Sequence, residues 1–160
     1  MTGQPPPPAC SVAGVLARYN ILGDRGQIDV LATLFAPDGT LKTPLWTAIG
    51  RDDIARHLRL GASFGDVRPS FVRHHLTTSS LISNLHVDAV SGRTYFQVIT
   101  DVGLDHAGIY VDHLVRLGQD WVFQRREVRI DWKSPDSLFP KLPVRPLNRY
   151  EPPSHFEPCR

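Results

Sequence analysis

From about residue 68 the chain carries four long runs, FVRHHLTTSSLISNLHV, GRTYFQVITDV, AGIYVDHLVRL and DWVFQRREVRIDW, each rich in β-branched and aromatic residues. They are separated only by DAVSG, GLDH and LGQ, which suit hairpin turns and leave no room for crossover helices. The pattern predicts a four-stranded antiparallel meander. Upstream the period is helical. Val12, Val15, Leu16, Tyr19 and Leu22 form one apolar stripe, and Ile28, Leu31, Leu34 and Phe35 form another. GDRG joins the two, with Gly23 and Gly26 permitting a tight reversal, and APDG is expected to stop the second helix with a turn. DDIARHLRL predicts a third short helix with Asp52 or Asp53 in its first turn, where a carboxylate meets unpaired amides. TLKTPLW predicts a short additional strand. Helices first and long strands after give an α+β domain. A strongly bent sheet closing against the helices would form a cone whose open mouth suits a small apolar ligand.

The chain of 160 residues is long enough for one domain with a real core. Its 14 prolines crowd toward the ends, so the expected organisation is a Pro-rich segment at 1–10, a folded body at 11–133 and a Pro-rich tail at 134–160. The tail keeps SLFPKLPVRPLNRY, apolar enough to lie on the body or on a second subunit. A formal net charge of +2 gives no electrostatic reason to expect nucleic acid. No apolar run is long enough to span a membrane, and MTGQPPPPAC lacks the basic and apolar regions of a signal peptide, so a cytoplasmic location is expected. Cys10 and Cys159 read as incidental thiols. His57, His86, His106, His113 and His155 show no metal-ligand spacing, and neither a phosphate loop nor a dinucleotide fingerprint occurs, so no metal and no cofactor is expected.

A few polar residues sit where a core would not need them. Tyr19 lies on the first apolar stripe and Asp24 at its break. A buried carboxylate costs several kcal/mol unless partnered, so Asp24 is either a solvated cap or part of a site. In RHH, strand alternation puts His74 on one face with Val72, Leu76 and Thr78, and His75 on the other with Arg73 and Thr77; only one imidazole can face a cavity. Asp101 alternates with Tyr95, Gln97 and Ile99, as a second cavity carboxylate or as an exposed strand end beside Gly103. Trp46 and Phe71 suit a cavity wall or core. Tyr110 and Asp112 share a strand face as a structural pair near the cavity or a subunit interface. Arg126 either ties the sheet through a carboxylate or meets the substrate.

The ordered set YNILGD, LFAPDG, GRDDI, RHHLTTS, GIYVDHLVRLGQDW and RREVRIDW resembles the SnoaL-like, polyketide-cyclase-like branch of the nuclear-transport-factor-2-like superfamily over roughly residues 11–132. The resemblance implies an α+β cone whose cavity serves dehydratases, isomerases, cyclases and epoxide hydrolases, and also domains without catalysis. In its dehydratases, such as scytalone dehydratase and bile acid 7α-dehydratase, a tyrosine and an aspartate near the end of the first helix and a histidine from the sheet point into the cavity. Tyr19 and Asp24 resemble the first two. His74 is preferred for the third, because a polar residue often follows that histidine by four positions and Thr78 fits; His75 stays open. Such a trio suits proton transfer: the histidine is the base, Asp24 fixes its tautomer, and Tyr19 donates to a carbonyl or leaving hydroxyl.

The expected activity is therefore that of a cofactor-independent lyase or isomerase acting on a hydrophobic, polyketide-, steroid- or terpenoid-like molecule, by dehydration, isomerisation or cyclisation. Trp46, Phe71, Tyr95, Tyr110 and Arg126 are expected around the substrate, and a homodimer or higher homo-oligomer is expected by analogy. Three other readings stand beside it. One is a non-catalytic binding or assembly module, and another the small subunit of a ring-hydroxylating dioxygenase. The third is an epoxide hydrolase, which would need Asp24, Asp101 and Arg126 to converge.

Overall fold

The computed structural model describes residues 11–61 and 68–146, with 78–86 given as backbone alone. Cys10, Cys159 and His155 lie outside the described residues, as do the side chains of Thr78 and His86. Helix α1 (Val12–Asp24) begins where Ser11 accepts a hydrogen bond from the Gly14 amide at 3.1 Å, and it buries Val15, Leu16, Tyr19 and Leu22, the stripe read from the sequence. Gly26, at φ 67°, turns the chain into α2 (Ile28–Ala32). Then follow β1 (Phe35–Lys42), β2 (Thr47–Ile49), α3 (Arg51–Gly61), β3 (Arg73–His86), β4 (Ala89–Thr100), β5 (Gly103–Leu117) and β6 (Asp120–Lys133). Both Asp52 and Asp53 stand in the first turn of α3, and Asp53 Oδ2 accepts from the Ile49 amide at 3.1 Å.

The six strands form one sheet in the order β2-β1-β6-β5-β4-β3. The expected meander is β3 to β6, antiparallel throughout, while β1 joins it by pairing parallel to β6. The result is an α+β architecture with an open, curled sheet around the helices. Among the described residues no helix is long and apolar enough to cross a membrane.

Two local expectations fail. The second helix was expected to reach Phe35, but it ends at Ala32, and APDG lies inside β1 instead of forming a turn after a helix. Strand pairing outweighs helix continuation here: the Phe123 amide donates to the Leu34 carbonyl at 2.8 Å, and Phe35 pairs with Phe123. The register then resumes only at Thr40 opposite Arg125, so APDG is absorbed as an irregularity in the strand. Gly39 makes this possible, because a Cβ there would approach the Phe123 carbonyl oxygen to 2.9 Å. Likewise GLDH is not a connection. Strand β5 begins at Gly103, which places Asp105 and His106 within the sheet.

Behind the sheet surface lies a charge. Arg126 donates from Nε and Nη2 to the two carboxylate oxygens of Asp112, each at 2.8 Å, and the side chains are 0% and 1% exposed. The guanidinium carbon sits 4.2, 4.1 and 4.1 Å from the ring centroids of Tyr19, Tyr110 and Phe123. Removing one partner would leave the other charge uncompensated in a dry core. Asp112→Ala is therefore expected to lower unfolding free energy by about 3–5 kcal/mol, measured by urea denaturation. A loss under about 1 kcal/mol, within the range of exposed pairs, would contradict this reading of the core.

Candidate active site

The helices and the concave side of the sheet enclose a cavity of about 560 Å³. Its wall is mostly apolar, with Leu31, Trp46, Phe96 and Val128 among the lining residues, and it contains two imidazoles. The first is His74. Its Nδ1–H donates to Asp24 Oδ1 at 2.6 Å, and its backbone amide donates to Asp24 Oδ2 at 2.9 Å. Asp24 thus grips both the ring and the main chain of β3 from the end of α1, and its side chain is only 7% exposed. With Nδ1 committed to the carboxylate, the tautomer leaves Nε2 as the acceptor. Tyr19, a little over one helical turn before Asp24, also lines the cavity. Burial raises its hydroxyl above the ordinary tyrosine value of 10.0 against the lowering pull of Arg126, so it remains a proton donor at neutral pH.

Sequence reasoning passed over the second imidazole. His106 Nδ1 donates to Asp105 Oδ1 at 2.7 Å, and both residues are buried. Neighbours on a regular strand face opposite sides, but here the register runs from Val98 opposite His106 to Ile99 opposite Leu104. Asp105 is the extra residue of a β-bulge, a device that re-aims side chains and lets adjacent residues turn inward together. The only signal in the sequence was an Asp-His pair within GLDH, and strict alternation argued against it. Asn20 was also missed; it is buried, lines the cavity and accepts from the Tyr110 hydroxyl at 3.2 Å.

The other expected residues divide. Trp46, Phe71 and Tyr110 line the cavity, with Phe71 partly exposed. His75 does not; it points to the outer face of β3, as alternation from an inward His74 requires. Tyr95 is 52% exposed and also faces outward. Asp101 is exposed at the strand end, where its carboxylate accepts from the amide and hydroxyl of Ser70. Arg126 lies outside the cavity lining and is spent on Asp112. The trio needed for epoxide hydrolysis, Asp24, Asp101 and Arg126, therefore does not share one space. Among the described residues no three His, Cys, Asp or Glu side chains are placed to hold a metal ion.

Burial lowers His106 below the ordinary imidazole value of 6.5, despite the opposing pull of Asp105. The neutral ring is thus the form the fold prefers, and its contribution to stability is complete above that value and lost as pH falls through the depressed one. The thermal midpoint should fall on acidification below about pH 6.5. His106→Asn should flatten that part of the profile, as scanning fluorimetry can read; an identical slope in the variant would remove His106 as its source.

Compared with known proteins, the chain matches the family model of the SnoaL-like domain over residues 11–127. No curated protein matches it. A protein from Catenulispora acidiphila, solved in complex with S-DNPA, has a TM-score of 0.65 and 28% identity, covering 75% of this chain and 90% of that one. A candidate scytalone dehydratase from Novosphingobium aromaticivorans has a TM-score of 0.65 and 19% identity, covering 91% and 93%. A Nostoc punctiforme protein of unknown function with a cystatin-like fold has a TM-score of 0.67 and 18% identity, covering 79% and 90%. The last two likenesses establish the fold alone.

Proposed function

We infer that this chain, which belongs to the SnoaL-like family, is a cofactor-independent lyase or isomerase that moves a proton within a hydrophobic small molecule, with dehydration of a β-hydroxy carbonyl compound as the reaction its site fits best. The observation that carries this reading is the His74–Asp24 pair, held at ring and backbone, in the wall of an apolar cavity shared with Tyr19. Fixing an imidazole through two bonds from one buried carboxylate orders it before substrate arrives, which is how a general base gains over a free one.

The reaction proceeds in two steps. His74 Nε2 takes the proton from the carbon next to the carbonyl, the C–H electron pair forms a carbon–carbon double bond, and the carbonyl π pair moves onto oxygen to give an enolate. The Tyr19 hydroxyl donates to that oxygen, while Asp24 stabilises the imidazolium. The enolate then collapses to the double bond and the β C–O bond breaks. The departing oxygen takes the proton back from His74 Nε2 and leaves as water. One imidazole thus serves as base and then acid on the same side of the substrate. His106, neutral and with Nδ1 bonded to Asp105, offers Nε2 as an acceptor that orients a substrate hydroxyl.

The aromatic and aliphatic wall favours a flat polycyclic or polyketide-like substrate. The ligand complex of the Catenulispora relative supports small-molecule binding in this fold. The test is a panel of aromatic β-hydroxy ketones followed by absorbance of the conjugated product and by NMR exchange of the α-proton with deuterium. His74→Ala and Asp24→Asn should each reduce turnover by about 10²–10⁴-fold, and Tyr19→Phe by about 10²-fold, with unchanged circular dichroism. Turnover and exchange that persist in His74→Ala would overturn the assignment.

A further inference from the structure

Residues 134–146, beyond the span matched by the family model, lie along the body as a strap, and its Phe139 and Leu142 line the cavity. It is fastened at Lys133, at Arg145 and at Asp105. The Lys133 ammonium donates to the carbonyls of Phe139, Pro140 and Leu142 at 3.4, 2.9 and 2.9 Å. The Arg145 amide donates to the Ile130 carbonyl at 2.9 Å. Asp105 Oδ1 accepts from the Ser137 hydroxyl at 2.7 Å, and its Oδ2 accepts from the Leu138 amide at 2.8 Å.

Asp105 is therefore shared. The same Oδ1 that receives the strap hydroxyl receives His106 Nδ1–H at 2.7 Å, and the ring of His106 meets that of Phe139 edge-on at 4.9 Å between centroids. We propose that Asp105 is a positioning residue that couples the strap to the cavity imidazole of His106, so that the strap's seating on the bulge sets the tautomer and proton affinity of that ring. The strap belongs to the site because the carboxylate orienting His106 is oriented by it.

The sign of the coupling follows from the contacts. Each donor that Asp105 receives from the strap draws off carboxylate charge that would otherwise stabilise an imidazolium. Phe139 keeps water from the ring, and desolvation also favours the neutral form. Loosening the strap removes both effects, and both removals raise the proton affinity of His106. The charged and titratable groups around it are Asp105 on its own strand, His74 on β3 and Lys133 at the end of β6. Ser137→Ala changes none of these charges, which makes it the sharper variant.

The measurement is ¹⁵N NMR of the imidazoles in the full chain, titrated without ligand. In the wild type His106 should hold the Nδ1–H tautomer. In Ser137→Ala its titration midpoint should rise by about half a pH unit or more, and Ser137→Thr, which keeps the hydroxyl, should restore it. The His74 signals should stay in place in all three, which a general loss of structure would not allow. An unchanged His106 midpoint in Ser137→Ala, or an Nε2–H tautomer in the wild type, would overturn the coupling. The inference rests on the reading of the cavity as a catalytic site, but its readout needs no substrate. Failure of turnover across the ketone panel would leave the NMR result standing, and an unresponsive His106 would leave His74-dependent turnover standing.

Discussion

A guanidinium buried among three aromatic rings ties the helical layer to the sheet. Taking Arg126 and Asp112 out of water costs several kcal/mol for each ion, and the cost is recovered only where geometry is good. Here it is: two parallel hydrogen bonds of 2.8 Å to one carboxylate, with the rings of Tyr19, Tyr110 and Phe123 about the cation. A desolvated cation over an aromatic face contributes roughly 2 kcal/mol, and the bidentate pair adds direction. The third guanidinium nitrogen, Nη1, has no hydrogen-bond partner among the described residues, so part of the desolvation cost stays uncompensated. What this arrangement specifies is position. Tyr19 comes from α1 and Arg126 from β6, so the contact fixes how the helix sits on the sheet, and therefore where Asp24, a little over one turn further on, meets His74.

Irregularities in the strands do the rest. A regular pleat alternates its side chains and would send one of Asp105 and His106 to each face. The bulge at Asp105 turns both inward. Further register shifts at Ala107/Gly108 and His113/Leu114 bend the β5–β6 ladder, and Gly108 accommodates the first of them because a Cβ there would run into the Arg129 carbonyl. Sheet curvature and the placement of the second imidazole therefore have one physical origin.

This explains which features were legible beforehand. The stripe from Val12 to Leu22 and the four runs after residue 68 repeat their periods over many residues, and burial of one face enforces them. Alternation likewise separated His74 from His75, because no bulge intervenes between those two. The short elements followed a different logic. The end of α2 is decided by an amide from Phe123, some ninety positions away, and no local propensity carries that information. Asp105 and His106 escaped because a bulge breaks the rule that was used to sort inward from outward. Tyr95, expected around the substrate, faces out, and of the two readings of Arg126 the tie to a carboxylate is the one found, behind the cavity wall and not within it.

The two imidazoles share one design and differ in surroundings. Each gives Nδ1–H to a carboxylate, so in the neutral ring Nε2 is the acceptor. The His74 side chain is 30% exposed and that of His106 is 6% exposed. A base must become charged between the two steps, and a ring less removed from water bears that charge at lower cost. A ring enclosed by the strap, the bulge and Phe96 is instead held neutral by desolvation and suits accepting a hydrogen bond. Two like dyads in one cavity can thus divide positioning from proton transfer without any difference in residue type, because burial makes the distinction.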